Sequence, residues 1–333
     1  MKFSVIIPVF NRPDELDELL ESLVSQSFTD FEVVVVEDGS TVSSREVVRK
    51  YDGKLNLRYF EKPNSGPGLS RNYGVERAEG DYVLILDSDV VLPDTYMQAV
   101  NDELRHSPED LASFGGPDRS HPDFTPIQKA VSYAMTSFFT TGGIRGNSTA
   151  KLDKFFPRSF NMGVKRTVYN ELHGFSKMRF GEDMDFSYRI IEAGYKSRLF
   201  PSAWVYHKRR THLRQFFKQV HNSGIARVNL EILHPGTLKP VHAMPAVFTL
   251  GVIFLLISAF ICPWALLPLG LYALLIFGDA LLVKKESLKV SALAIVASFV
   301  QLCGYGSGFL RCGWNRWVMG KGEMEAFRGS FYK

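Results

Sequence analysis

Cysteine is nearly absent from the sequence. The 333 residues include only three cysteines, and none of them lies among the first 261 residues. A small secreted domain held together by disulfide bonds is therefore excluded, because such domains need several paired cysteines. The three are Cys262, Cys303 and Cys312, and all lie in or beside apolar segments near the carboxyl end.

The start of the chain also lacks the features of a secretory signal. Met1 to Ser4 lead directly into a strand-like run at residues 5–7, without a long apolar segment or a small-residue cleavage site. We therefore expect the first domain to remain in the cytosol.

Long runs of positive charge are missing as well. The net charge is +4, and no block of Lys and Arg is long enough to follow a phosphate backbone. Nucleic acid is therefore not an expected partner. The Gly-x-Gly-x-x-Gly turn typical of dinucleotide-binding proteins does not follow the first strand-like run, and no internal repeat is visible.

The first 200 residues alternate between strand-like and helical patterns. Leucines recur at helical spacing in residues 16–23, behind Asn11 and Pro13, which are residues suited to opening a helix. This alternation predicts an α/β fold in which helices cover a mostly parallel sheet. The predicted strands are 3–7, 33–36, 55–60 and 82–86, and the predicted helices lie near 16–23 and 67–78.

Three apolar segments follow one another near the carboxyl end. Residues 244–262, 264–283 and 290–310 each have about 20 mostly apolar residues, the length that crosses a bilayer as a helix. A buried core hairpin is the alternative, but three such segments leave too little polar chain to cover them. We therefore predict a cytosolic domain at 1–235 and a membrane domain at 236–333, in a multi-pass protein of the plasma (inner) membrane.

The third apolar segment conflicts with the usual distribution of charge around membranes. With the first domain in the cytosol, three crossings place the basic tail outside, against the tendency of Lys and Arg to remain inside. A re-entrant or interfacial third segment would remove the conflict, and the sequence leaves both topologies open. The tail contains Arg311, Arg316, Lys321 and Arg328, whereas Lys284, Lys285 and Lys289 precede the third segment.

The segment just before the membrane domain mixes apolar and basic residues. Residues 212–233 place Phe216, Val220 and Ile225 among Lys218 and Arg227, with Gly224 interrupting the pattern. Such a segment either lies on an anionic membrane surface or packs on the first domain as an ordinary amphipathic helix.

Acidic residues follow two of the predicted strands. Asp38 follows the second strand, and Asp87 and Asp89 follow the run 82–86. In open sheets of this type, ligands bind beyond the carboxyl ends of the strands. Residues two apart point to the same side, so Asp87 and Asp89 are candidate ligands for Mg²⁺ or Mn²⁺ that would neutralise a diphosphate. A polar turn is the alternative for the pair. Asp38 either accepts a hydrogen bond from a base or begins an Asp-Gly turn.

Three further groups of residues are suited to transfer chemistry. Arg71, near the start of a predicted helix, either pairs with a phosphate or is a surface arginine. Glu182, Asp183 and Asp185 lie at the start of another predicted helix, where acidic residues cap the helix and complement its dipole. Capping needs only one acidic residue, so another of the three is a candidate general base that deprotonates an acceptor hydroxyl. His207 follows a strand-like run and is a candidate third metal ligand or phosphate donor, with a structural histidine as the alternative.

Six ordered motifs between residues 3 and 210 resemble those of the family 2 glycosyltransferases. They read VIIPVFNR, VVVEDGS, GPGLSRNYGV, DYVLILDSDV, FNMGVKRTVYNELHGF and FGEDMDFSYRIIEAGY. The resemblance implies the GT-A fold, a Rossmann-like, mostly parallel sheet. It also implies an inverting transferase that uses a nucleoside-diphosphate sugar, usually a UDP-sugar or GDP-sugar.

The resemblance further implies roles for residues at matching positions on the nucleotide side. Pro8 and Phe10 would line the nucleotide pocket, Asp38 would recognise the base, and Arg71 would contact the nucleotide.

On the reacting side, the resemblance makes Asp89 the principal metal ligand and Asp183 the general base. Asp87 and Glu182 would lie beside them in the substrate site. Asn161 and Gly174 fall in the segment that borders the donor sugar and the acceptor.

One departure from the family bears on the product. Processive polymer synthases carry Gln-x-x-Arg-Trp on an interfacial helix, whereas the comparable segment here reads FFKQVHNSGIAR, and the only Arg-Trp pair is Arg316-Trp317. The departure favours adding a single sugar to a lipid-linked glycan at the membrane, in polysaccharide biosynthesis, over processive synthesis. A non-catalytic scaffold that binds nucleotide or lipid is the remaining alternative. Residues 118–154 are expected to shape the acceptor side, and the sugar and the linkage stay open.

Overall fold

The computed structural model describes residues 2–142, 155–178 and 180–322. Residues 143–154, part of the expected acceptor side, and Arg328 of the basic tail lie outside the described residues. The strands are β1 Phe3–Val9, β2 Phe31–Asp38, β3 Leu57–Lys62, β4 Tyr82–Leu86, β5 Val90–Val91, β6 Leu111–Gly115, β7 Asp118–Arg119, β8 Asn161–Lys165, β9 Lys196–Leu199 and β10 Val205–His207. 

The helices are α1 Pro13–Val24, α2 Arg45–Arg49, α3 Pro67–Val75, α4 Tyr96–Arg105, α5 Pro126–Thr136, α6 Phe138–Thr141, α7 Arg166–Glu171, α8 Glu182–Glu192, α9 Leu213–Leu233, α10 Pro240–Ser258, α11 Leu267–Gly278 and α12 Leu288–Gly313. A 3₁₀ turn at Pro263–Leu266 precedes α11. Turns of π-helix follow α11 at Asp279–Val283 and α12 at Trp314–Val318.

The chain divides into two compact units. The first comprises Met1–His121 and Ser148–His207, and the second comprises Pro122–Asn147 and Lys208–Lys333. This division differs from the expected boundary after residue 235, because α5 and α9 pack with α12 in the second unit.

A seven-stranded sheet forms the centre of the first unit. Its strand order is β3-β2-β1-β4-β8-β6-β9, and only β8 runs antiparallel to its neighbours. The remaining neighbours pair in parallel. The mostly parallel α/β sheet is therefore confirmed, and the four strands predicted from the sequence correspond to β1 to β4.

Alternation along the buried strands gives the sheet two apolar faces. Val5 and Ile7 of β1 pack in one cluster with Leu16 of α1, whereas Ile6 packs in another with Phe186 of α8. Successive side chains of a strand point to opposite faces, so each central strand contributes to both clusters. The register aligns β1 with β2 and β4, and their carboxyl ends therefore meet at one edge of the sheet.

The second unit contains the three apolar segments, and each forms a helix. The spans Pro240–Ser258, Pro263–Val283 and Leu288–Val318 are long and apolar enough to cross a membrane. The amphipathic segment 212–233 forms α9, which packs lengthwise on α12. A membrane surface and the first domain are the partners expected from the sequence, and α12 is neither.

Candidate active and metal site

A short antiparallel pairing brings His207 to the acidic end of β4. The strand β5 begins just after Asp89, and β10 pairs with it so that His207 lies opposite Val90. His207 Nε2 is consequently 3.3 Å from Asp89 Oδ1. The ring of Phe160 stacks on the imidazole at 4.4 Å between ring centroids and fixes its plane.

Asp87, Asp89 and His207 form a group with the chemistry of a divalent metal site. One ligand atom from each lies within 4.8 Å of the others, and it is the one group of three such side chains in the described part of the chain. Two carboxylates and an imidazole suit Mn²⁺, and the carboxylates alone suit Mg²⁺. The residues therefore fit the metal that the sequence predicts.

Arg12 contacts the same acidic group and was not identified from the sequence. Its Nη1 is 3.0 Å from Asp89 Oδ2 and 2.8 Å from Glu15 Oε2. Arg12 lies three residues after the end of β1, at the sheet edge where the acids collect, and that position is the signal that could have identified it.

Asn11, expected to open α1, has a different function. Its backbone φ is +54°, and its Oδ1 accepts hydrogen bonds from the backbone N–H groups of Thr41 and Val42 at 2.7 and 2.9 Å. The side chain ties the β1–α1 loop to the loop after β2. Pro13 occupies the first turn of α1, as expected.

Arg71 is buried and connects two acids. Its side chain is 3% exposed, so the interpretation as a surface arginine is wrong. Nη2 lies 2.7 Å from Asp87 Oδ1, and Nη1 lies 2.8 Å from Glu182 Oε1. The guanidinium therefore links the end of β4 to the start of α8.

Burial raises the pKa of Glu182 from 4.5 to about 7, because the ionised carboxylate has lost its hydration. The attraction of Arg71 opposes this shift, and the charge of nearby Asp183 adds to it. The carboxylate of Glu182 is thus poorly solvated and committed to Arg71.

Asp183 lies in the first turn of α8, and its two oxygens differ. Oδ1 accepts a hydrogen bond from the backbone N–H of Met184 at 2.8 Å. Within the described residues, Oδ2 has only distant partners, the N–H of Ser159 at 3.5 Å and Arg158 Nη1 at 3.7 Å. One oxygen therefore contacts the helix terminus, and the other has no close partner among the described residues.

Asp185, the third acid of this turn, has a structural partner. Its Oδ2 is 3.0 Å from Nη2 of Arg189, one turn further along α8. Arg189 in turn donates to the carbonyl oxygens of Leu172 and Gly174 at 2.6 Å. Asp185 therefore holds the loop before α8 in place.

Asp38 is buried, and it organises the loop that precedes α3. Its carboxylate accepts hydrogen bonds from Lys62 Nζ at 2.5 Å and from the N–H groups of Ser65 and Gly66 at 2.8 and 2.9 Å. These contacts give Asp38 a structural function, and recognition of a base stays a prediction.

The other nucleotide-pocket and acceptor-side residues occupy defined positions. Pro8 lies near the carboxyl end of β1, and Phe10 immediately follows that strand. Asn161 is buried, donates to Ala203 O at 2.9 Å and accepts from the Tyr96 hydroxyl at 2.7 Å. Gly174 has φ +61°, and a methyl group there would lie 2.4 Å from the Tyr169 ring.

Comparison with known proteins gives a family and several relatives. The model of the family described as Glycosyl transferase family 2 matches residues 4–172. Poly(ribitol-phosphate) beta-N-acetylglucosaminyltransferase TarS of Staphylococcus aureus is 50% identical over 93 residues, 27% of this chain and 16% of TarS. An uncharacterized glycosyltransferase of Rickettsia bellii is 41% identical over 156 residues, 47% of this chain and 21% of that protein. The matched regions are thus a small part of these relatives.

Two solved structures share the fold. The mannosyltransferase PcManGT of Pyrobaculum calidifontis, in complex with GDP-Man and Mn²⁺, aligns with a TM-score of 0.60 at 17% identity, covering 95% of this chain and 88% of that one. Residues 1–349 of S. aureus TarS with UDP-GlcNAc align with a TM-score of 0.51 at 20% identity, covering 96% and 93%. At these identities the likeness shows the fold alone.

Proposed function

The chain belongs to glycosyl transferase family 2, and from this membership we propose that it is an inverting transferase that moves a sugar from a UDP-sugar or GDP-sugar to a lipid-linked glycan at a membrane. The observation that carries the proposal is the group of Asp87, Asp89 and His207 at the end of β4. The structural neighbours support it, since one was solved with GDP-Man and Mn²⁺ and another with UDP-GlcNAc.

The acidic group would hold a divalent cation, Mg²⁺ or Mn²⁺, with Asp89 as the principal ligand. A cation there offsets the negative charge that develops on the departing nucleoside diphosphate. Arg71 holds Asp87 in place through one half of its guanidinium and Glu182 through the other. On the nucleotide side, we assign Pro8, Phe10 and Asp38 to the pocket at the ends of β1 and β2.

Asp183 is the proposed general base. Its Oδ2 takes the proton of an acceptor hydroxyl while that oxygen forms a bond to the anomeric carbon. The bond from this carbon to the diphosphate breaks on the opposite face, and its electron pair leaves with the nucleoside diphosphate. Attack from the opposite face inverts the anomeric configuration.

The apolar helices of the second unit support an acceptor that resides in a membrane. Three spans have the length and composition of membrane helices. An acceptor carried on a lipid would reach the enzyme by diffusion within the same layer. We place the active domain on the cytoplasmic face.

The proposal is tested with the detergent-purified full chain and a panel of UDP-sugars and GDP-sugars. We expect release of nucleoside diphosphate from one donor in the presence of Mn²⁺ or Mg²⁺, and loss of release in excess chelator. Asp89→Ala should lower turnover by roughly a hundredfold or more, because the diphosphate charge is no longer offset.

Asp94→Ala is the matched control, because Asp94 is an exposed carboxylate five residues further along the chain. Its turnover should equal that of the wild type. Full activity in chelator, or equal losses in both variants, would refute the metal assignment.

A further inference from the structure

The third apolar helix differs from the first two in its exposure. In the apolar stretch of Pro240–Ser258 and in that of Pro263–Val283, 11% of the residues are buried. In the apolar stretch of Leu288–Val318, 44% are buried. Between Ala297 and Leu310, all of which the structure describes, no residue of α12 is exposed. The helices α5, α9, α10 and α11 surround this part of α12.

α9 and α12 lie so close that their backbones touch. A methyl group added at Gly308 of α12 would lie 1.9 Å from the carbonyl oxygen of His221, and one at Gly224 of α9 would lie 2.1 Å from the carbonyl oxygen of Tyr305. Further along, Cys312 Sγ is 3.6 Å from Asn229 Oδ1. The contacts advance together along both helices, so α9 runs parallel to α12 over most of its length.

This packing links the location of α12 to that of α9. Any layer of lipid that α12 crossed would also contain the adjoining part of α9, which carries Lys218, Asn222 and Arg227. Charged and amide side chains are costly in the hydrocarbon layer. α12 is therefore packed as a core helix of the second unit, although its composition would permit a membrane crossing.

The first two apolar segments form a hairpin, and no residue of its outer part, 250–271, is buried within the described structure. α10 contacts α12 only near its start, where Pro245 and Thr249 approach Gly306. α11 contacts it from Tyr272 onward. The Tyr272 ring packs on Phe299, and its hydroxyl donates to the carbonyl oxygen of Phe139 at 3.1 Å. Ile276 packs in a cluster with Ala294. From Leu250 to Leu275, all described, no residue is buried.

The apex of this hairpin has no charged group suited to the far side of a membrane. No charged residue occurs between residues 243 and 278, and the apex residues Phe260 and Ile261 are 92% and 90% exposed. Lys239 precedes the hairpin, and Lys284 follows it. From Thr249 to Ser258, where α10 ends, the helix extends about 15 Å at 1.5 Å per residue, which is less than the ~30 Å of a hydrocarbon core.

We propose that residues 250–271 form a re-entrant hairpin, which enters the acyl chains of a bilayer from one side and turns inside it, while α5, α9 and α12 stay outside. Both flanking lysine positions and the basic residues after α12 then lie on the same side, which removes the conflict with the positive-inside tendency. This inference rests on the proposed membrane attachment and is independent of the proposed sugar transfer.

The test is thiol accessibility after the full chain inserts into preformed vesicles of phosphatidylethanolamine and phosphatidylglycerol. Three proteins each carry one cysteine: native Cys262 at the apex, Lys284→Cys after the hairpin, and Lys321→Cys after α12, with the other cysteines replaced by Ala. A membrane-impermeant maleimide should label positions 284 and 321. Cys262 should resist both impermeant and permeant maleimide until detergent is added, because thiolates do not form in hydrocarbon.

Each other pattern overturns the proposal in a recognisable way. Protection of position 321 from the impermeant reagent alone means that α12 crosses the bilayer. Labelling of Cys262 by the permeant reagent alone means that the hairpin crosses completely. Labelling of Cys262 by both, with no flotation of the protein with the vesicles, means that the hairpin does not enter the bilayer. Nucleotide-sugar turnover, measured separately, is unaffected by any of these outcomes.

A substitution at the apex provides a second readout. Ile261→Asp should lower the fraction that floats with vesicles by roughly a hundredfold, because a carboxylate would enter the hydrocarbon. Val42→Asp, at an exposed apolar residue of the first unit, should leave flotation unchanged. Equal flotation of both variants would contradict the insertion.

Discussion

The three carboxylates in the first turn of α8 have three different sets of partners. Glu182 is bound to Arg71, and Asp185 is bound to Arg189 one turn later. Asp183 uses Oδ1 for the Met184 N–H, and its Oδ2 has only distant partners among the described residues. A proton acceptor needs an oxygen that is not committed elsewhere, so these contacts support the proposal that Asp183 is the base.

For Asp183, catalysis and helix capping predict opposite results. Asp183→Asn should leave the melting temperature and donor binding near those of the wild type, because Asn serves a helix N-terminus about as well as Asp. Transfer to the acceptor should fall by roughly a hundredfold or more, because the amide cannot accept the proton. The measurements are thermal unfolding, donor titration and initial transfer rate.

Asp185→Asn is the matched control two residues away. It weakens the ion pair with Arg189, so the melting temperature should fall while the folded fraction keeps most of its transfer rate. If Asp183→Asn retained transfer within a few-fold of wild type, the base would have to be assigned to another residue.

We expect Arg12 to compete with a divalent cation for Asp89. Its Nη1 lies 3.0 Å from Asp89 Oδ2, and a positive charge there opposes metal binding. Arg12→Ala should therefore tighten Mn²⁺ binding without nucleotide by roughly two- to fivefold, the scale of a partly exposed ion pair. Calorimetric titration with Mn²⁺ alone measures this, and Arg45→Ala, which removes an exposed pair with Glu61, should have no effect. Unchanged or weaker binding in Arg12→Ala would contradict the competition.

At the scale of single elements, periodicity predicted the long strands and helices of the first unit but not its short strands. β1 to β4 and the first helices have apolar patterns long enough to be distinguished. β5 has two residues and β10 has three, and such lengths carry no period. The proximity of His207 to Asp89 depends on the pairing of these two strands. The sequence pattern alone therefore could not decide whether His207 is a metal ligand or a structural residue.

The contact between α9 and α12 is testable at one glycine. Gly308→Ala would force its methyl group within 1.9 Å of the His221 carbonyl oxygen, so the two helices must separate. The free energy of unfolding should fall by about 1–3 kcal/mol, as for other overpacked positions. Gly251→Ala in α10, where no atom lies within 4 Å of the added methyl group, should cause no loss. Chemical unfolding in detergent measures both, and equal stabilities would refute the close packing.

For the molecule as a whole, hydropathy identified three apolar helices but not their environments. Hydropathy reports the composition of a segment, whereas burial depends on which neighbours surround it. α12, like α10, is apolar enough to cross a membrane, yet α9 encloses one side of it through contacts at Gly304 and Gly308. No pattern within either segment alone predicts that α9 and α12 pack together. For this reason the expected boundary after residue 235 separates these two helices.

Two shortened chains distinguish a boundary at residue 235 from the division seen in the structure. A chain that ends at Pro235 lacks α12 and leaves the apolar faces of α5 and α9 uncovered, with Val131, Phe216 and Val220 among them. We expect this chain to aggregate, because a contiguous apolar surface of this kind associates in water. Centrifugation of lysates and size-exclusion chromatography measure the outcome.

The matched chain retains α12 and replaces only residues 250–271 with a short Gly-Ser linker. It loses the exposed part of the hairpin and keeps the packing of α5 and α9, so we expect a monodisperse protein without detergent that still binds the donor nucleotide. The opposite result, a soluble chain ending at Pro235 and an aggregated chain without the hairpin, would show that the first 235 residues fold independently. In that case α12 would belong with the membrane helices after all.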